Sequence, residues 1–405
     1  LSQHTISLSH PNKTIRLNVP LTASKSECNR ALIIRALTKE NLELQNISAA
    51  RDCQTMIRLL ASEDQELNVL DAGTTMRFLT AYCSVINRES ILTGTTRMQE
   101  RPIKILVDAL KYIGADITYS KKEGYPPIHI KSFEQKKAEV SIAGNVSSQY
   151  ISAILMIAPL LPLGIKLKLT GEIASRPYIS MTLKLMHHFG ITYNWKEDII
   201  EIANQDYKAN SYTIESDWSG ASYWYSIAAL SDKAEIKLLG LRKDSFQGDL
   251  AIVEIMNQLG IESQFDNEGV TLAKKTAVDN FNYDFTQCPD LAQTIAIICA
   301  AKGIKARLSG LESLRIKESD RIDSLRLELK KVGVQVIVEG DQAIGINGKA
   351  KVDKPKFHSY EDHRVAMALA PLALLGEISI DDPDVVNKSY PSFWEHLKQA
   401  GFDIS

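Results

Sequence analysis

A single turn signal, repeated along the chain, constrains its fold more than any other feature. A helix-like stretch, an apolar residue, a glycine and then a β-rich run occur together five times. They are ALKYIGADITY at Gly114, LMHHFGITYNW at Gly190, IMNQLGIESQF at Gly260, ELKKVGVQVIV at Gly333 and HLKQAGFDIS at Gly401. Successive glycines are 68 to 76 residues apart. Each stands where a helix ends in a left-handed residue before a strand begins. One glycine after a helix would mean little; five at near-constant spacing mean an internal repeat.

A second marker keeps the same period. Short polar clusters lead into apolar helical runs at DAGTTMRFLTAY (from Asp71), VSSQYISAILMIA (from Val146), DWSGASYWYSIAAL (from Asp217), CPDLAQTIAIICAA (from Cys288) and YEDHRVAMALAPLALL (from Tyr360), 71 to 75 residues apart. SKSECNRALIIRAL (from Ser24) is an earlier copy only 47 residues before Asp71, so the first of six units is short. β-branched segments such as KLKLTGEI, AEIKLLGL and KARLSGLE lie between the markers. Each unit reads strand–helix–strand–helix–strand, its first helix the more apolar. A helix apolar on most faces must be buried. Three units bury three such helices together with sheets outside, and six units make two such domains.

Composition excludes several classes. Lys and Arg number 47 against 49 Asp and Glu, a net charge of -2, with none of the basic excess of a general nucleic-acid or membrane-surface binder. The longest apolar stretch, Ile151 to Leu163, is interrupted by Ser152, Pro159 and Pro162, which argues against a transmembrane helix. The first residues carry neither the basic start nor the apolar core of a secretory signal. Cys28, Cys53, Cys83, Cys288 and Cys299 are odd in number, far apart and without a C-x-x-C, so neither a zinc site nor a disulfide framework is expected. The expectation is a reduced, cytoplasmic, monomeric protein.

The first-helix starts are rich in Ser, Thr, Asp and Gly. Such residues cap helices, and capping alone explains most of them. They also leave backbone N–H groups at the positive end of a dipole, where phosphate or carboxylate binds. Cations stand beside these starts: Lys25, Arg30, Arg77, Arg97, Lys317, Arg321, Arg364 and Lys388. Each alone reads as a solvated surface residue; together, beside equivalent positions of a repeat, they point to anionic ligands.

In order along the chain, SKSECNRA, DAGTTMR, TGTTRMQERP, VSSQY, SRPYI, FQGD, PDLAQT, RIKESDR and YEDHR resemble the 5-enolpyruvylshikimate-3-phosphate synthase family, from about residue 13 to 400. The resemblance implies an α/β fold, a two-domain inside-out α/β barrel. Each domain has three βαβαββ repeats with buried helices and outer sheets, and the active site lies in the cleft between them. The implied domains are 20–216 and, discontinuously, 1–19 plus 217–405. The implied reaction moves the enolpyruvyl group of phosphoenolpyruvate to the 5-hydroxyl of shikimate 3-phosphate through a tetrahedral ketal. It releases phosphate and needs neither metal nor other cofactor.

Two carboxylates and two phosphates in one site call for permanent cations, and Arg pairs with both groups bidentately. By motif match, Lys25, Arg97, Arg321, Arg364 and Lys388, with the backbone of Gly73, hold phosphoenolpyruvate. Lys25, Ser26, Arg30, Ser147, Ser148, Ser175, Tyr178, Asp290, Ser313 and Lys317 hold shikimate 3-phosphate, and Gln149 touches both. Asp290 matches the carboxylate that serves as base; Glu318 and Lys25 match the groups that shuttle protons at C3 and the leaving phosphate. Without the resemblance, Asp290 after Pro289 reads equally as a helix cap.

The chain departs from the family pattern at Thr22-Ala23 (usually Pro-Gly), Asp71 (Asn), Ser313 (Asn) and Glu361 (Asn), and in a hairpin missing between about Leu60 and Asp71. Asp71 threatens to bring an extra carboxylate to the phosphoenolpyruvate site. His187-His188 reads as surface, Cys28 as non-catalytic and the cluster from Trp218 to Tyr225 as core. Two rivals remain: the sister transferase acting on UDP-N-acetylglucosamine, disfavoured because TGTTRMQERP holds no Cys, and a non-catalytic anion-binding module.

Overall fold

The computed structural model describes residues 4–405. They form two compact units: a continuous one, Lys25–Ile214, and a split one made of the residues up to Ser24 together with Glu215–Ser405. The divide implied by the resemblance is at 19/20 and 216/217; the units part at 24/25 and 214/215. The reason is local. Ser24 N–H donates to the Glu215 carbonyl at 2.8 Å and Asp217 N–H to that of Thr22 at 2.9 Å. Ala23 also bridges Ser216, so both crossing segments are tied inside the split unit.

The six apolar runs are helices, labelled here in chain order: α1 Lys25–Leu37, α2 Gly73–Val85, α3 Ser148–Ile157, α4 Trp218–Leu230, α5 Ala292–Lys302 and α6 His363–Leu369. In α3 every residue but Gln149 is buried, in α4 every residue but Ser219, in α5 every residue but Lys302. Helices this apolar have no face to offer water. They pack on one another in threes, α1 with α2 and α3, α4 with α5 and α6. The second helices behave otherwise. Lys104–Ile113 buries only Leu106, Val107, Ala109, Leu110 and Ile113, the one-sided stripe of an amphipathic helix.

The strands repeat one pairing scheme. Glu139–Ala143 runs parallel to Ile165–Thr170, which pairs antiparallel with Ile199–Ile202, itself antiparallel to Asn194–Lys196. The same scheme recurs in four more four-stranded sheets, begun by Thr14–Pro20, Glu66–Asn68, Asn280–Asp284 and Lys356–Phe357. The short first unit keeps only the parallel pair Leu44–Gln45 and Tyr212–Thr213. After its second helix, Arg51–Ala61, the chain passes directly to Glu66–Asn68 of the next sheet, so the hairpin is missing inside the expected window.

All five marker glycines have positive φ, from 79° to 134°. At Gly114 a Cβ would also run into the Glu134 carbonyl, whereas at Gly333 it would meet nothing within 4 Å. Gly333→Ala should therefore cost about 1 kcal/mol, the left-handed penalty alone. Gly114→Ala should cost about 3 kcal/mol, because backbone has to move as well. Denaturant unfolding of both variants checks this; equal losses would show that the carbonyl contact does not matter.

Candidate active site

In the split unit three helix starts meet on one carboxylate. Asp290 lies in the turn Pro289–Leu291 that leads into α5. It does not cap that helix. Its oxygens face Arg364 Nη2 at 2.8 Å, on the first turn of α6, Arg321 Nη1 at 3.0 Å and Lys317 Nζ at 3.4 Å. Arg364 Nη2 also donates to Ser219 Oγ on the first turn of α4, at 3.3 Å. The capping reading of Asp290 is thereby replaced by an ion-pair reading.

Arg321 is the hub. It opens the helix Arg321–Lys331, and its side chain is 1% exposed. Its Nε donates to Asp362 Oδ2 at 2.8 Å and its Nη2 to Asp362 Oδ1 at 3.2 Å and Glu318 Oε2 at 3.1 Å. Lys388, at the end of the turn Pro383–Lys388, brings Nζ to 3.9 Å from Glu318 Oε1. Ser313 sits in the turn Glu312–Ile316 that delivers Lys317. Asp290, Lys317, Glu318, Arg321, Arg364 and Lys388 thus form one cluster.

The electrostatics follow. Burial on its own would raise the Asp290 pKa, but Arg364, Lys317 and Arg321 outweigh it and hold the carboxyl far below the usual range. Burial likewise disfavours charge on Arg321, and Asp362, Glu318 and Asp290 reverse that, so the guanidinium stays cationic. The cluster is a fixed ionic array suited to an anion with more than one oxygen.

The continuous unit repeats the convergence. Lys25 opens α1, and its Nζ lies 3.1 Å from Asp52 Oδ2, on the first turn of Arg51–Ala61. Thr75 Oγ1, at the start of α2, donates to the Asp52 carbonyl at 3.4 Å. Gln149 Nε2, at the start of α3, donates to Thr74 Oγ1 at 3.0 Å, and Ser147 caps α3 by accepting from Gln149 N–H at 3.4 Å. Ser148 is buried beside them. At Gly73 a Cβ would lie 2.7 Å from Arg101 Nη1 and 2.8 Å from Arg77 Nη1, so the backbone there is pressed against two guanidiniums. Arg77 is itself a strap, donating to the carbonyls of Gly73 and Pro102 at 3.0 and 3.1 Å.

Arg30 is buried and ties three helices. It donates to Thr182 Oγ1 on the helix Arg176–His188 at 2.7 Å, to Ser152 Oγ on α3 at 3.2 Å and to the Ser26 carbonyl at 2.7 Å. Burial lowers its pKa to about 10, so it remains charged at neutral pH. Ser175, in the left-handed region at φ 54°, precedes Arg176–His188 and accepts from Tyr178 N–H at 3.0 Å. Arg97 is half exposed and pairs with Glu100 at 3.3 Å. Asp71 pairs with Arg51 at 3.1 Å, which gives its carboxylate a cation of its own. His187 and His188 contact the Ile191 and Ser211 carbonyls, and Trp218, Tyr223, Trp224 and Tyr225 are core.

Sequence reasoning passed over Asp52, Asp362 and Arg101. Asp362 lies in YEDHR just before an apolar run, the pattern of a helix cap; it caps α6, accepting from Arg364 N–H at 3.0 Å.

The architecture is that of a repeat-built α/β protein in which cations gather beside the starts of buried helices. The family described as EPSP synthase (3-phosphoshikimate 1-carboxyvinyltransferase) matches residues 58–397. A 3-phosphoshikimate 1-carboxyvinyltransferase of Bacteroides fragilis is 47% identical over 402 residues, covering 98% of both chains. One from Vibrio vulnificus is 34% identical, covering 96% of this chain and 97% of the relative. Among solved structures, an EPSP synthase from Acinetobacter baumannii superposes with a TM-score of 0.82 at 21% identity, covering 99% of each chain, which shows the fold. This chain belongs to the EPSP synthase family.

The ion cluster predicts a pH signature. Asp290 has a depressed pKa when folded, so its contribution is fully present above the unfolded value near 4 and is lost as pH falls below it. Asp290→Asn should cost about 3 kcal/mol at pH 7 and distinctly less at pH 3, measured by denaturant unfolding. A pH-independent difference would remove the ion pairs as the cause.

Proposed function

We propose that this chain transfers the enolpyruvyl group of phosphoenolpyruvate to the 5-hydroxyl of shikimate 3-phosphate and releases phosphate. The observation that carries the reading is the Asp290 carboxylate, held at the start of α5 between Arg364, Arg321 and Lys317. Membership of the family supports the reaction and its two small-molecule substrates.

Each residue type has a task. By the family match, Arg321, Arg364 and Lys388 in the split unit are assigned to the carboxylate and phosphate oxygens of phosphoenolpyruvate, and so, in the continuous unit, are Lys25, Arg97 and the Gly73 backbone. Ser26, Arg30, Ser147, Ser148, Ser175 and Tyr178 in the continuous unit are assigned to shikimate 3-phosphate and Gln149 to both substrates; in the split unit Ser313 and Lys317 are assigned to shikimate 3-phosphate. Arg30 acts largely by fixing α1 to α3, since its guanidinium is committed to Thr182, Ser152 and Ser26.

Asp290 takes the proton of the 5-hydroxyl as it attacks C2. In the free protein it is a weak base, because three cations face it. Anionic substrate beside Arg321 and Arg364 cancels part of that field and raises its basicity. Lys25 and Glu318 move the protons at C3 and at the departing phosphate. Lys25 is oriented by Asp52, and Glu318 by Arg321.

The near balance of charges supports small anions over nucleic acid, and no helix among the described residues is long and apolar enough to cross a membrane. The five cysteines are free and buried, in keeping with a reducing compartment such as the cytoplasm. We read the working form as a monomer.

Phosphate release should require both substrates together. Lys25→Met and Asp290→Ala should each lower kcat at least about 100-fold. Binding of both substrates without release would leave an anion-binding module, and near-normal turnover by either variant would remove its role.

A further inference from the structure

Two residues with left-handed backbone stand side by side just before the catalytic cluster. Tyr360 has φ 55° and Glu361 φ 54°, and neither is glycine. Non-glycine residues rest there only when the surrounding structure over-determines them. Glu361 is also one of the positions where this chain departs from the family pattern in sequence. The next residue, Asp362, binds Arg321 with both oxygens and caps α6 at Arg364 N–H.

What holds the turn lies on its other flank. Tyr360 Oη donates to Glu328 Oε1 at 2.6 Å, and His358 N–H donates to Glu328 Oε2 at 3.1 Å. Lys331 Nζ donates to the same Oε2 at 2.6 Å, so the buried Glu328 carboxylate is fixed in place. Ser359 N–H donates to Asp381 Oδ1 at 2.7 Å, and the His358 ring lies 2.5 Å from Asp381 Oδ2. Asp362 N–H closes the turn on the Ser359 carbonyl at 3.0 Å.

Glu328 and Arg321 are seven residues apart on the helix Arg321–Lys331, hence on one face. That helix grips the segment at two points, Tyr360 through Glu328 and Asp362 through Arg321. Burial, followed by the bond to Glu328, raises the Tyr360 pKa, so the phenol stays protonated and remains a donor.

We propose that Tyr360, bound by Glu328, is a positioning residue for Asp362 and through it for the Arg321–Arg364 pair that receives phosphoenolpyruvate. The claim rests on the proposed function. Released from Glu328, the two left-handed residues relax and Asp362 shifts, so the Arg321 guanidinium and the Arg364 backbone N–H lose the acceptor they share.

Tyr360→Phe removes only the hydroxyl. Its KM for phosphoenolpyruvate should rise roughly tenfold or more, with the KM for shikimate 3-phosphate within about twofold of the parent. Adding Glu361→Gly puts a residue at ease with positive φ into the turn and should restore most of the loss. The amide of Arg364, followed by hydrogen exchange, should be deprotected in Tyr360→Phe and reprotected in the double variant. An unchanged exchange rate, or KM values for both substrates that rise together without rescue, overturns the proposal. Deprotection and rescue in a protein whose parent shows no turnover would uphold the positioning and condemn the reaction instead.

Discussion

A helix buried on nearly every face must be covered by its neighbours, and six largely buried helices set the terms for this molecule. Each is hidden behind two others, with its amphipathic partner helices and one-sided sheets outside. One consequence reaches the chemistry. When three helices pack together and the chain enters each after equivalent strands, their polar starts come out near one another. Ser219 and Arg364 lie on the first turns of two helices and Asp290 in the turn leading into a third, and Arg364 touches both of the others. Thr74 and Gln149 open two and touch. N–H-rich helix tips gathered in this way attract negative charge before any side chain is counted.

The two units then spend their buried charge differently. Arg321 is embedded among Asp362, Glu318 and Asp290, and its guanidinium is made more basic by them. Arg30 is embedded among hydroxyls and a carbonyl, and burial makes it less basic. Burying either ion costs free energy that a plain apolar core would not incur. For Arg321 that cost maintains an ionic array with oxygens already at the distances a phosphate or carboxylate would occupy. For Arg30 it joins three helices at one point. Lys25 falls between: its Nζ pairs with Asp52, on a helix outside the buried trio.

Much of this could be read from the residues. The period of glycines and polar clusters carries the number of units, the short first unit and the burial of each first helix, because each is a local pattern with a physical reason. The cations beside helix starts pointed to anionic ligands for the same reason. Their partners were not legible. Asp52 is 27 residues from Lys25, and Asp362 is 41 from Arg321. No spacing rule links them, since one partner lies on another helix or in another repeat. Asp71 presents the same difficulty: the sequence offers no sign that Arg51 pairs with its carboxylate.

The sequence alone, then, determined the repeat, the core helices and the sign of the ligand, since periodicity, apolarity and charge are properties of short stretches. Only tertiary structure decided which carboxylate holds which cation, that Asp290 is an ion-pair partner and not a cap, and that a turn of two left-handed residues sits behind Asp362. Those outcomes depend on side chains from distant repeats meeting in a dry interior. There a difference of one ångström or one partner changes both basicity and position.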